Sequence, residues 1–360
     1  MLNCLLNHAP MQCTLLIPHL WWPHRTSDDV YRDLVVPEVQ MLLARARRRS
    51  FSAHGTEVWL FQAFEVERQR DWPVAPLTLK LDGGDPGEAY WLRADPVHLH
   101  PKRDHLLLAD SSAFPISQHE ADALADALSQ HFAADGMQFC APHPTRWYLR
   151  LETDPEIITS VLGDAVGSDV NRFLPTGKNA LHWHRIWNEI QMLLHDHAVN
   201  RARESRGEPA INSVWLWGGG TKPGARGRHF STAWGDDPLA LALAANEDIP
   251  AAPAAASGEH WLTMLCDRYH SGDRHLLVLA QLTQAARYGD VAAWRASLSD
   301  LNIKWIAPVL AALRQRRIAR LILVVPNEPG GARYELARPD LLKFWRPVQP
   351  FAAYSPALPQ

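Results

Sequence analysis

Hydrophobic positions in this chain recur sometimes every second residue and sometimes every three to four, and the changes of period mark out its elements. Near the start, Thr14-Leu15-Leu16-Ile17 is an apolar run stopped by Pro18, which predicts a buried strand. Val39, Leu42, Leu43 and Ala46 fall on one helical face, predicting a helix over 36–49 with Pro37 at its start. A second helix is expected over 58–64, a turn at Asp71-Trp72-Pro73, an extended segment over 76–81, and a loop over 82–87. Residues 90–99 and 105–109 read as paired strands. Ser117 and Glu120 form a capping box ahead of a helix over 121–132.

Further strands are expected at 137–140, 146–152 and 213–217, with a long helix over 179–200 between the last two. After the glycine-rich stretch 218–227 and an Ala/Pro linker at 251–257 come a strand over 275–282, a helix over 293–316 interrupted near Pro308, and a strand over 320–325. Alternation of strand and helix at both ends predicts an α/β fold with a parallel sheet. The middle reads as an inserted α+β domain. The expected division is a discontinuous core of residues 1–82 and 225–350, an insertion over 88–222, and a tail over 351–360.

Composition adds constraints. The 360 residues are enough for about two domains. A net charge of −3 argues against a molecule built as a whole for nucleic acid. No apolar run reaches the length of a membrane helix, and no basic leader precedes an apolar stretch. Translation from Met1 and from Met11 both remain open, with the first ten residues a poorly ordered tail in the second case. Cys4, Cys13, Cys140 and Cys266 are scattered, as reduced thiols of a cytoplasmic protein would be. With 15 tryptophans, several are expected to line a groove or an interface.

Candidate chemistry is sparse. Gly218-Gly219-Gly220-Thr221-Lys222 fits neither standard phosphate-loop pattern, so a tight turn or close backbone approach is the simpler reading. His182, His184, His195 and His197 lack the spacing of a metal site. Arg45-Ala46-Arg47-Arg48-Arg49 places positive charge at an expected helix end, where it complements the dipole; a nucleic-acid contact is the alternative. Arg93 and Asp95 share one face of a strand, either as an ion pair or as a holder of a small hydroxylated anion. Arg146 and Arg203 are further anion candidates, because guanidinium grips carboxylate or phosphate through two parallel hydrogen bonds.

One series of residues carries a family resemblance. His197-Ala198-Val199-Asn200, Arg203, Gly207, Pro209, Asn212 and Trp215-Leu216-Trp217-Gly218-x-Gly220 resemble the substrate-domain signature of archaeal-type cofactor-independent phosphoglycerate mutases, members of the alkaline phosphatase superfamily. Upstream, Arg93-Ala94-Asp95, Ile116-Ser117-x-x-Glu120-Ala121, Arg146 and Leu174-Pro175-x-Gly177 follow in the same order. The whole chain resembles a bacterial family of RpfE-type regulatory proteins still more closely, through the blocks 91–99, 103–108 and 187–194. That resemblance implies regulation without stating a molecular activity.

The mutase resemblance implies an alkaline-phosphatase-like split core with an inserted substrate-type domain. It also implies two divalent metals and a Ser or Thr nucleophile, and here the chain departs from the pattern. Ile17-Pro18-His19-Leu20 stands where the enzymes have a ligand aspartate, and Asp71-Trp72-Pro73-Val74-Ala75 stands where the nucleophile belongs. The stretch 281–290 keeps at most Asp290 of an Asp/His ligand set, Val324-Val325 leads to Pro326-Asn327-Glu328 instead of Asp-His, and the last histidine has no counterpart over 333–339.

The expectation is therefore a non-catalytic pseudoenzyme, without metal or cofactor, acting as a regulatory or metabolite-binding protein. Its expected partners are a phosphorylated or carboxylated metabolite and a regulatory protein, with neither nucleic acid nor membrane. The expected ligand-binding residues are Arg93, Asp95, Arg146, His197, Asn200, Arg203, Asn212, Trp217, Gly218 and Gly220. The alternatives are a metal-dependent phosphoryl-transfer enzyme with ligands relocated near Asp71 or Asp290, and a protein-interaction scaffold.

Overall fold

The computed structural model describes residues 11–24, 28–52, 55–102, 105–265, 272–326 and 331–355. The expected tail over 1–10, the thiols of Cys4 and Cys266, and Asn327-Glu328 lie outside the described residues. The chain forms two units, one of Met1–Glu65 with Arg226–Gln360 and one of Val66–Ala225. In chain order the strands are β1 (Met11–Leu16), β2 (Arg47–Phe51), β3 (Tyr90–Lys102), β4 (His105–Asp110), β5 (Gln138–His143), β6 (Arg146–Leu151) and β7 (Ile157–Ile158). They continue with β8 (Thr176–Gly177), β9 (Ser213–Gly220), β10 (Thr232–Trp234), β11 (Ala251–Ala252), β12 (Arg274–Val278), β13 (Ile318–Val325) and β14 (Gly331–Ala337).

The first unit is built on a seven-stranded sheet in the order β11-β10-β12-β1-β13-β14-β2. Its first five strands run parallel, and β14 and β2 are antiparallel additions at one edge. Continuous apolar runs in β1 and β13 fit a sheet covered on both faces. Cys13, Leu15 and Ile17 point into one core with Trp261, Trp294 and Leu310.

In the second unit β3 is the organising strand. Its first residues pair β6, its last residues pair β4, and β9 runs along its opposite edge, all antiparallel. The period of two decides its faces. Tyr90, Leu92 and Ala94 enter a core with Leu124 and Leu128 of the helix Gln118–His131 and with Ile186 and Ile190 of the helix Ala180–His195. The intervening Trp91 joins Tyr148, Ala75 and Leu79 in a small separate cluster beneath the helix Val74–Leu81.

Several expectations change. Residues 74–81 are helical rather than extended, and belong to the second unit because Ala75 and Leu79 pack on Trp91 and Tyr148; the first segment of the discontinuous unit thus ends at Glu65, not 82. The helix expected over 36–49 ends at Arg45, and Arg47–Phe51 pairs with β14. The helix expected over 179–200 is two helices, Ala180–His195 and Ala198–Ser205. Gly218, Gly219 and Gly220 are strand, not loop.

Two further differences concern apolar side chains. Most described tryptophans are core residues, with Trp147, Trp261 and Trp294 fully buried. Phe351 is no tail residue: it is buried, with its ring centroid 4.6 Å from that of Trp21. The interruption near Pro308 takes the form of a π-turn, Asn302–Ile306, between Val291–Leu301 and Ala307–Arg314. Its Asn302 Oδ1 accepts from the backbone N–H of Glu38 (3.1 Å) and Val39 (3.0 Å). It thereby satisfies a helix start whose own Val36 offers no capping side chain.

Candidate functional site

The residues expected to bind a ligand separate into two groups, both in the second unit. The first lies on the face of β3 and β6 that carries the helix Val74–Leu81. Arg93 donates through Nε (3.0 Å) and Nη2 (2.6 Å) to Asp95 Oδ1, and through Nη1 (3.3 Å) to Thr78 Oγ1. Asp95 Oδ2 accepts from Trp217 Nε1 at 2.7 Å. The Arg93 guanidinium carbon lies 5.3 Å from the Tyr148 ring and 5.5 Å from the Trp217 ring, so the cation is flanked by aromatic faces. Both charges of this pair are buried. Burial pushes the Asp95 carboxyl above its usual range, against the pull of Arg93 and Trp217.

Arg146 grips Asp82 through Nε (2.8 Å) and Nη2 (2.5 Å), and Tyr148 donates to the same carboxylate at 2.6 Å. Burial alone would raise the Asp82 pKa, but the bonds from Arg146 and Tyr148 outweigh it and hold the carboxyl below its usual range. Arg146 keeps part of its side chain accessible (19%), which Arg93 does not. His143 stands across the β5–β6 turn, and its pKa is lowered by partial burial and by Arg146.

The second group serves the fold. His197 Nδ1 accepts from the Val199 N–H (3.2 Å) and caps the helix Ala198–Ser205, which explains the helix break there. Asn200 is wholly buried; it donates to the carbonyls of Leu194 (2.7 Å) and Ile211 (2.9 Å) and accepts from Ile211 N–H (2.7 Å). Asn212 accepts from Leu99 N–H (2.7 Å) and donates to Leu99 C=O (2.9 Å), extending the β3–β9 ladder with a side chain. Arg203, also wholly buried, donates to the carbonyls of Pro209 (2.8 Å) and Pro115 (3.1 Å) and to Glu120 (3.1 Å). These four join helix, turn and strand, and the side-chain polar atoms of Asn200, Asn212 and Arg203 are spent on internal hydrogen bonds.

The glycines of β9 are explained by packing. Gly218 has φ +64, and a Cβ there would lie 2.8 Å from Val74 Cβ. At Gly219 a Cβ would meet Leu92 and the Tyr90 hydroxyl at 2.7 Å, and at Gly220 it would meet Pro73 Cβ and Gln69 Oε1 at 2.7 Å. The strand must be bare for the segment 69–74 to lie against it.

In the first unit, ligand chemistry would be expected at the C-terminal ends of the parallel strands. A cavity of about 480 Å³ opens there, after β10, β11 and β12. Leu279, Ala280, Gln281, Ala255, Ser297 and Trp305 line it, with Asp236, Asp300 and Lys304 supplying charge. Lys304 is paired with Asp300 at 2.5 Å, and Asp236 accepts from Ala254 N–H at 3.2 Å. Asp237 and Asp290 cap the helices Pro238–Asn246 and Val291–Leu301. Where β1 ends, His19 holds φ 56 and its pKa is lowered to about 4, mainly by burial. In the second unit, Asp71 accepts from Thr159 N–H (3.0 Å) and Thr159 Oγ1 (2.5 Å). Among the described residues, no three His, Cys, Asp or Glu side chains are grouped to hold a metal ion. The described side chains do not fit a two-metal centre.

Comparison with known proteins bears on this framework. No protein-family model matches the chain. A probable 2,3-bisphosphoglycerate-independent phosphoglycerate mutase of Geobacter sulfurreducens is 24% identical over 277 residues, covering 72% of this chain and 68% of that protein. A 2,3-bisphosphoglycerate-independent phosphoglycerate mutase 2 of Methanothermobacter thermautotrophicus is 30% identical over 124 residues, a match spanning only 29% of its length. In three dimensions, the PH0037 protein of Pyrococcus horikoshii covers 92% of this chain, and the chain covers 88% of it, with TM-score 0.58 and 12% identity. That likeness concerns the fold, a mixed α/β one. In sequence the chain is homologous to 2,3-bisphosphoglycerate-independent phosphoglycerate mutases.

Proposed function

We propose that the protein is a non-catalytic relative of these mutases: an alkaline-phosphatase-like split core with an inserted substrate-type domain, kept for a regulatory or metabolite-binding role of the RpfE type. One observation carries this reading. The carboxylates nearest to the places where metal ligands would stand are each engaged in holding the fold. Asp237 and Asp290 cap helices, Asp236 holds the Ala254 amide, and Asp71 holds Thr159. These bonds orient each carboxylate toward its own helix or loop, and among the described residues no three His, Cys, Asp or Glu side chains come together to hold a metal ion.

For the metabolite, Arg146 is the best-placed anchor. Its bidentate grip on Asp82 leaves Nη1 and part of its surface for an anionic group, whereas Arg93 and Arg203 are sealed. Phosphorylated and carboxylated three-carbon acids are the chemical class that fits a single accessible guanidinium beside a neutral histidine. The test is a thermal-shift screen of purified protein with phosphoglycerates, with and without manganese. The expected result is a manganese-independent rise in Tm that Arg146→Ala abolishes. Manganese-dependent mutase or phosphatase turnover would overturn the proposal.

A further inference from the structure

Charge is unevenly distributed in the first unit. The β2 edge, β14 and the segment that follows it (45–51 and 331–348) hold eight Lys and Arg residues against two carboxylates, Glu335 and Asp340, in a chain whose net charge is −3. Arg47, Arg48 and Arg49 are exposed on β2, the last strand of its sheet. The segment after β14 is tied to them directly: Arg45 donates to the Leu341 carbonyl, and Arg346 donates to the Ala46 carbonyl at 3.2 Å. Arginines on an edge strand deter pairing with a second copy, and that alone would explain β2.

It does not explain what lies beside it. Leu342, Phe344 and Trp345 are 72%, 81% and 66% exposed, and the Phe344 and Trp345 rings meet edge-on with centroids 5.3 Å apart. Leaving three large apolar side chains in water is unfavourable unless a partner covers them. We infer that this basic-aromatic patch docks on an anionic lipid surface, with Leu342, Phe344 and Trp345 entering the headgroup region and Arg47 and Arg49, which share a face of β2, facing lipid phosphates. The mixture decides between polyanions. Single-stranded nucleic acid would use the rings for stacking but has no place for an exposed leucine, whereas a bilayer interface accepts both. This revises the expectation of no membrane contact, which rested on the absence of an apolar run long enough to span a bilayer and so did not address surface docking.

The test is flotation of the full chain with phosphatidylcholine vesicles and with vesicles of roughly one third phosphatidylglycerol. Binding is expected only to the anionic vesicles and is expected to weaken as salt rises. The double variant Phe344→Ala/Trp345→Ala should weaken it about tenfold, and Arg47→Gln about fivefold. Both sites are exposed, and unchanged melting curves would verify that the variants fold. Absence of binding, equal binding to neutral vesicles, full retention by the aromatic double variant, or tighter binding of a single-stranded oligonucleotide than of vesicles would each overturn the inference.

Discussion

Arg203 shows how a side chain picked out by a binding signature can belong to the fold. Its guanidinium is entirely enclosed and bridges Glu120 at the start of one helix, the Pro115 carbonyl and the Pro209 carbonyl ahead of β9. Truncation would take a partner from the Glu120 carboxylate and from two carbonyls, and leave a void where the buried side chain stood. Arg203→Ala is therefore expected to lower stability by about 3 kcal/mol or more, read as the midpoint of a urea melt. An unchanged midpoint would return Arg203 to the ligand-binding set. Arg146 occupies the opposite position: it pairs with Asp82 at 2.5 Å, yet its side chain reaches solvent. By sequence alone the two arginines rank as equals, because spacing along a chain says nothing about which donor is already taken.

Among elements, β9 is the most informative. Its glycines look like a loop by composition, but they continue a strand against which the segment 69–74 lies. Gly218→Ala would force a Cβ to within 2.8 Å of Val74 Cβ at a residue with φ +64, both of which are unfavourable. A loss of about 2 kcal/mol or more is expected on thermal unfolding. A neutral result would mean that Val74 and its helix yield easily, and that the glycines serve some other purpose. The helices were more legible where capping chemistry was local, as with Ser117 and Glu120. They were less so where the cap came from elsewhere, as Asn302 caps the helix Pro37–Arg45, or where a histidine took the role, as His197 does.

At the scale of the molecule, buried histidines should make the first unit sensitive to acid. His275 on β12 is wholly buried, its Nδ1 2.7 Å from Thr232 Oγ1 on β10, while Trp234 Nε1 donates to that hydroxyl oxygen at 2.7 Å. The hydroxyl has one proton and two acceptor sites, so it serves Nδ1 of a neutral ring in either tautomer. Burial lowers the His275 pKa from 6.5 to about 4. The unfolded chain takes up a proton below pH 6.5 that the native state refuses. The contribution to stability is therefore complete above pH 6.5, falls as pH drops toward 4, and levels off below that. The loss is about 3 kcal/mol at most. Urea melts across this range should show the decline, and His275→Gln should flatten its share; parallel pH profiles for the two proteins would refute the assignment.

The order of strands and helices, the apolar faces and the mutase-like signature were legible from residues alone, because hydrophobic period and local capping are properties of neighbours in sequence. Which polar groups remain free to act is a property of neighbours in space. Only the tertiary structure decided that Asn200, Arg203 and Asn212 are spent on internal hydrogen bonds, that Asp71 and Asp290 hold amides, and that Arg346, next to Phe344 and Trp345 in the chain, bonds the Ala46 carbonyl at the start of β2. A hydrogen-bonding side chain can be counted from the sequence, but its partner comes from whatever segment the fold brings within about 3 Å.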